Sequence, residues 1–103
     1  MGYEGCTAKL RMERVILEDS FFDETEYLCK IIAYDGEEEE CLYLLVEEAE
    51  LTAFSLDGIY ECEIVDEESK VVCSGMIQER YWNKLGKVMK FQIQRGFYKK
   101  LLN

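Results

Sequence analysis

Along Thr7–Glu18, apolar and polar residues take turns: Ala8, Leu10, Met12 and Ile16 fall on one side, and Lys9, Arg11 and Glu13 on the other. A period of two predicts a strand with one buried face. Residues 19–26 read as an acidic loop that carries Phe21 and Phe22. Glu26–Tyr34, rich in Tyr, Ile and Cys, predicts a second strand. Asp35-Gly36 follows as a two-residue hairpin signal, because both residues tolerate positive φ. Glu37–Glu40 and then Cys41–Val46 make the return strand. A helix over Glu37–Phe54 competes with it, since acids suit a first turn and Leu42, Leu45, Val46 and Ala49 fit helical spacing. The strand is the favoured reading.

Leu51–Leu56 leads to a second Asp-Gly pair, Asp57-Gly58. Beyond it the alternation is clean. Tyr60, Cys62 and Ile64 point inward while Glu61 and Glu63 point outward, and Met89, Phe91 and Ile93 alternate with Lys90, Gln92 and Gln94. Between them Val71–Tyr81 reads as a strand, flanked by a four-residue turn at 66–69 and a type I turn with a glycine bulge over Asn83–Gly86. The first turn sets Ile64 opposite Val71, Cys62 opposite Cys73 and Tyr60 opposite Gly75. The second sets Ile77 opposite Ile93, Glu79 opposite Phe91 and Tyr81 opposite Met89. Both keep the odd positions of the shared strand on one mostly apolar face, an agreement that a one-residue slip would destroy. Tyr60 then covers Gly75, an aromatic ring over a bare strand position. Residues 96–103 alternate apolar with basic and suit a last strand or a short helix.

These elements predict a mostly all-β chain: a small antiparallel barrel of six to seven strands, PilZ-like or split-barrel-like, with room for one short helix. The 103 residues fit a single domain over 1–103, with residues 1–6 as a flexible lead-in.

Composition changes the picture through charge. The net charge of −10 divides unevenly, with −17 in residues 1–69 and +7 in residues 70–103. The net acidity argues against DNA or RNA as the main partner. With no His, there is no Ser–His or Cys–His nucleophile pair and no His metal ligand. No apolar run reaches membrane-spanning length, and no basic-then-apolar leader precedes Thr7, so the expectation is a cytoplasmic protein that does not engage a membrane. Cys6, Cys29, Cys41, Cys62 and Cys73 are odd in number and contain no CxxC pair, which predicts buried, reduced thiols rather than a disulfide framework or a zinc knuckle. The acidic runs at 37–40, 47–50 and 66–68 lack the spaced oxygen ligands of a calcium loop. No catalytic constellation, metal site or cofactor is therefore expected.

The basic third interleaves Lys70, Arg80, Lys84, Lys87, Lys90, Arg95, Lys99 and Lys100 with Tyr81, Trp82, Phe97 and Tyr98. Bases among aromatics suit a phosphate-binding surface, a subunit contact, or plain neutralisation of the acidic part. Arg80, Trp82, Arg95, Phe97 and Tyr98 are the candidate interface patch.

Arg11-Met12-Glu13-Arg14, Ser55-Leu56-Asp57-Gly58 and the later Ser74-Gly75-Met76-Ile77 together resemble a PilZ domain over about residues 9–94. That resemblance implies a six-stranded barrel that receives cyclic-di-GMP through an RxxxR motif and a [DN]xSxxG motif. Its ligand residues here would be Arg11, Arg14, Ser55 and Gly58. The arginines stand one residue closer than in that motif, and Ala53 replaces its acid or amide. The resemblance then implies a degenerate barrel that contacts protein. The expected function is a non-catalytic interaction or regulatory module, working with a protein partner or by self-association. A receptor for cyclic-di-GMP or another anionic nucleotide is the alternative.

Overall fold

The computed structural model describes residues 3–17, 21–65 and 70–99, with the side chains of 97–99 excepted. Its six strands are β1 (Thr7–Val15), β2 (Glu26–Asp35), β3 (Cys41–Val46), β4 (Gly58–Val65), β5 (Lys70–Asn83) and β6 (Gly86–Lys99). All pairs are antiparallel, and the sheet closes in the order β1-β2-β3-β6-β5-β4, with β1 returning to pair with β4. Closure gives every strand a partner on both sides over part of its length. The one helical element is a 3-10 turn, Leu51–Ala53. No described helix is long and apolar enough to cross a membrane.

The core is built from the alternating positions. Ala8, Leu10 and Met12 meet Ile31, Leu42, Leu44, Tyr60, Cys62, Ile64, Ile77, Met89 and Phe91 inside the barrel. The β4–β5 pairing falls where the turn arithmetic puts it: Ile64 opposite Val71, Cys62 opposite Cys73, and Tyr60 opposite Gly75. Gly75 is demanded by a close approach, because a Cβ there would stand 1.9 Å from the Gln92 carbonyl oxygen.

Elsewhere β-bulges shift the phase. In β1 an extra residue between Met12 and Arg14 turns Val15 toward the core, so Ile16 is 52% exposed rather than inward. In β5 an extra residue between Ile77 and Glu79 sets Arg80 opposite Met89. The β5–β6 register differs from expectation in two steps: next to the turn, a two-residue loop sets Tyr81 opposite Val88 rather than Met89 and Glu79 opposite Lys90 rather than Phe91, and beyond the bulge Ile77 faces Phe91 rather than Ile93. The turn is a tight Lys84-Leu85 loop closed by an Asn83–Gly86 pair, with Gly86 at φ 125°. Bulges of this kind supply the bend and twist that a six-stranded sheet needs to close.

The β2–β3 connection also differs. Asp35 pairs with Cys41, and residues 36–40 form the loop, so neither a two-residue turn nor a helix over 37–54 forms. Leu42 and Leu44 point inward, so a tight turn would aim Glu38 and Glu40 along the same face. Burying carboxylates costs more than lengthening the loop. Tyr3–Cys6, within the lead-in expected to be flexible, form a turn in which Gly5 N–H donates to Ile31 O (2.7 Å) and Ile31 N–H donates to Cys6 O (2.9 Å). The 66–69 turn and residues 100–103 lie outside the described residues. The five cysteines are unbridged thiols; Cys29, Cys41, Cys62 and Cys73 are buried, and burial pushes Cys29 up to about 12.

Candidate functional site

The ligand residues expected from the PilZ resemblance do not share one cavity. Arg11 projects outward and pairs with Glu61 at 3.3 Å. Arg14 also lies on the outer wall, opposite Ile59, where it lines a cleft of about 490 Å³ with Glu13, Ile59, Ser74, Gln94 and Arg95. Ser55 lines a different cavity, and both its polar groups serve the local turn. Its N–H donates to Tyr60 Oη (2.9 Å), and its hydroxyl oxygen accepts from Asp57 N–H (3.0 Å). Gly58 pairs with Val15 at the start of β4, where a Cβ would come within 2.9 Å of Met12 Cε.

The outer cleft exists because of the β1 bulge. Glu13 reaches across β4, accepts from Ser74 Oγ at 3.1 Å and pairs with Arg95 Nη2 at 3.8 Å. Ser74 is only 2% exposed although it is on the outer face, so its hydroxyl forms a floor beneath two arginines from opposite margins. Glu13, Ser74 and Gln94 escaped the sequence reading, since nothing in their spacing signals that a bulge brings them together.

The second site is one end of the barrel. Three connections gather there, represented by residues 16–17 and 21–25, residues 47–57 and the Lys84-Leu85 turn. Ile16 N–H donates to Asp57 O (2.9 Å), which ties the first to the second. The basic hairpin holds the second in place: Arg80 Nη1 donates to Leu51 O (3.2 Å) and Phe54 O (2.7 Å), and Lys87 Nζ donates to Ala49 O (2.5 Å). Arg80 is therefore an internal brace rather than a free interface cation. A cavity of about 660 Å³ opens between the first two connections, with Phe21, Asp23, Tyr27, Phe54 and Ser55 among its lining. The Tyr27 and Phe54 rings pack at 4.6 Å between centroids. Asp23 accepts from the Tyr27 hydroxyl and from Thr25 N–H, and the phenol bond chiefly holds its carboxyl below the ordinary value.

The rim of this end is apolar and open to solvent. Ile16, Leu17, Phe21, Phe22, Leu56, Trp82 and Leu85 are exposed there, with Phe21 at 81% and Trp82 at 69%. Among the described residues only Leu28 and Val65 complete the set of exposed large hydrophobic side chains. Of the expected interface patch, Trp82 belongs to this rim and Arg95 to the outer cleft. Phe97 and Tyr98 lie on β6, where Tyr98 pairs with Val72; their side chains lie outside the described set. Among the other bases, Lys70 pairs with Glu63 at 3.5 Å and Lys90 with Glu79 at 3.9 Å. Among the described residues the bases of this third thus mostly brace the fold and line no single groove. Among the described residues no group of three or more Cys, Asp or Glu is placed to hold a metal. Compared with protein-family models, curated proteins and solved structures, the chain has no match.

Proposed function

We propose that this barrel is a non-catalytic protein-interaction module and that its loop end is the docking surface. One observation carries the reading: of the nine exposed large hydrophobic side chains among the described residues, six project from the connections at that end and a seventh, Trp82, from the end of β5 beside them. Scattered apolar residues are ordinary on a protein surface, whereas a contiguous set beside a cavity marks an interaction site. Trp82, Phe21 and Phe22 among them supply rigid area of the kind that dominates binding energy. Five unbridged thiols support a reducing, cytoplasmic setting.

The test is site-specific photo-crosslinking in cells. A crosslinking residue at Phe21 or Leu85 gives discrete protein adducts, while one at Leu28 or Val65 on the wall gives none. Adducts only from the wall positions would overturn the reading.

A second reading, an anionic-ligand receptor related to the PilZ type, is favoured by the outer cleft. Two guanidiniums, an amide and a hydroxyl line it beside Ile59, with the Glu13 carboxylate that holds Ser74 and Arg95 as the group an incoming anion would have to displace. Arginine forks suit phosphate oxygens, and Gln and Ser suit a base edge. Calorimetric titration with cyclic-di-GMP at low salt checks it. Binding abolished by Arg14→Ala sustains this reading, and no heat at tens of micromolar ligand, roughly the range of weak nucleotide receptors, removes it.

A further inference from the structure

The loop end is acidic as well as apolar, and the rest of the chain contains a segment of the opposite character. Residues 16–25 and 47–57 carry eight carboxylates and no base. The Lys84-Leu85 turn adds one base, Lys84, to that end, and Arg80 and Lys87 are already engaged with carbonyl oxygens of residues 49–54. Residues 95–103, Arg-Gly-Phe-Tyr-Lys-Lys-Leu-Leu-Asn, carry three bases, four apolar side chains and no acid.

The topology keeps these two features apart within one molecule. β6 starts at Gly86, at the loop end, and runs to Lys99, which pairs with Val71 at the other end. Fourteen strand residues cover roughly 45 Å at ~3.3 Å each, in a molecule whose extents are 38 × 37 × 29 Å. The four residues that follow Lys99 in the sequence span at most about 14 Å, too little to return to the loop end of the same barrel. Beyond Ile93, whose N–H donates to Glu40 O, β6 also has no strand partner on its β3 side among the described residues.

We infer that the apolar, acidic loop end of one copy receives residues 97–103 of a second copy, head to tail. This rests on the reading of the loop end as a docking surface and names its occupant. Phe97, Leu101 and Leu102 meet the rim formed by Phe21, Leu56 and Trp82, and Lys99 and Lys100 meet the carboxylates of the two connections. The competing arrangement pairs the lysines with Glu37–Glu40 of their own copy. That connection, Gly-Glu-Glu-Glu-Glu, offers charge but no apolar side chain for the leucines. A contact between two different surfaces leaves each copy with one free donor and one free acceptor, so assemblies grow beyond a dimer unless they close into a ring.

Sedimentation across concentration at low salt tests this. The full chain shows concentration-dependent association that weakens as salt rises. Two variants, Lys99→Glu with Lys100→Glu, and Phe21→Ser with Leu56→Ser, each associate about tenfold more weakly or less. Mixed together, they form a 1:1 complex that cannot extend, since one retains the acceptor and the other the donor. Glu47→Lys with Glu48→Lys provides a second acceptor variant at exposed positions. A synthetic peptide of residues 95–103, which contains no Trp, changes the emission of Trp82, the chain's one tryptophan, and its Lys→Glu counterpart does not. A full chain that stays monomeric into the millimolar range overturns the proposal, as does undiminished association of the Lys99/Lys100 variant. A monomeric chain that still yields crosslinks from Phe21 to another protein would remove the self-contact and leave the docking surface standing.

Discussion

Single side chains decide more here than their types suggest. Gly75 looks like one small residue in a strand, yet its bare Cα lets the β6 backbone pass at contact distance. Gly75→Ala brings a Cβ against a carbonyl oxygen that belongs to the ladder and has little room to retreat, so a loss of about 3 kcal/mol or more is expected in urea unfolding. Tyr34 illustrates a titration set by one neighbour. Its hydroxyl donates to Glu40 Oε2 at 2.5 Å, and that bond, with some burial and the carboxylate's charge, pushes the phenol up to about 12. The raised value means the folded state holds this proton more tightly than the unfolded chain. The stabilisation is therefore full below the ordinary tyrosine range near 10 and disappears as pH rises through about 12. Burial also raises Tyr27 and Tyr60, so phenolate absorbance followed against pH should show a late-titrating group of tyrosines that Tyr34→Phe or Glu40→Gln diminishes by one. The opposed Cys62 and Cys73 thiols need no redox role: both are buried, and the Cys73 contact with desolvation pushes Cys62 upward, away from a reactive thiolate.

At the scale of elements, the bulges set which residues become available for function. Alternation alone sends Arg80 to the outer face with Gln78 and Gln94. One extra residue in β5 instead aims it at the carbonyls that close the 3-10 turn. Arg80→Ala should cost about 1–2 kcal/mol for charge-assisted bonds that are partly open to water. Its more specific effect is on exchange: the amides of Ala53 and Phe54, which donate to Glu50 O and Leu51 O, lose protection, while those of β4 keep theirs. Hydrogen exchange by mass spectrometry separates these outcomes, and uniform loss across the barrel would refute a local brace. The bulge in β1 acts likewise on Glu13, which it moves from a routine outward position into the bridge between Ser74 and Arg95.

For the molecule as a whole, closure is the governing fact. β1 pairs with both β2 and β4, so the first strand completes the barrel only after the fourth has formed. Such long-range pairing predicts refolding in roughly milliseconds to seconds. The chain has no proline, so refolding should lack the phase of tens of seconds that prolyl isomerisation adds in many chains. Double-jump stopped-flow experiments check this: amplitudes should not depend on how long the chain stays unfolded. Charge also belongs to this scale. The −17 and +7 portions interlock only in part, through Lys70–Glu63 and Arg95–Glu13, leaving the loop end acidic.

Much of the architecture was legible without coordinates, because strand alternation and turn residues are local. Asp66–Ser69 has the length that sets Cys62 opposite Cys73, and the inward series of β1, β4 and β6 follows directly from polarity. The β5–β6 register beyond Glu79 was not legible, since a bulge answers to the curvature of the closed sheet rather than to residues beside it. Arg11, Arg14, Ser55 and Gly58 read as one ligand set built from two motifs in the sequence, whereas Arg14 and Ser55 line different cavities. The sequence determined the alternation, the turns and the uneven charge. The tertiary structure decided that Ile16, Phe21, Leu56 and Trp82, far apart along the chain, share one exposed rim, because only closure brings three connections to the same end.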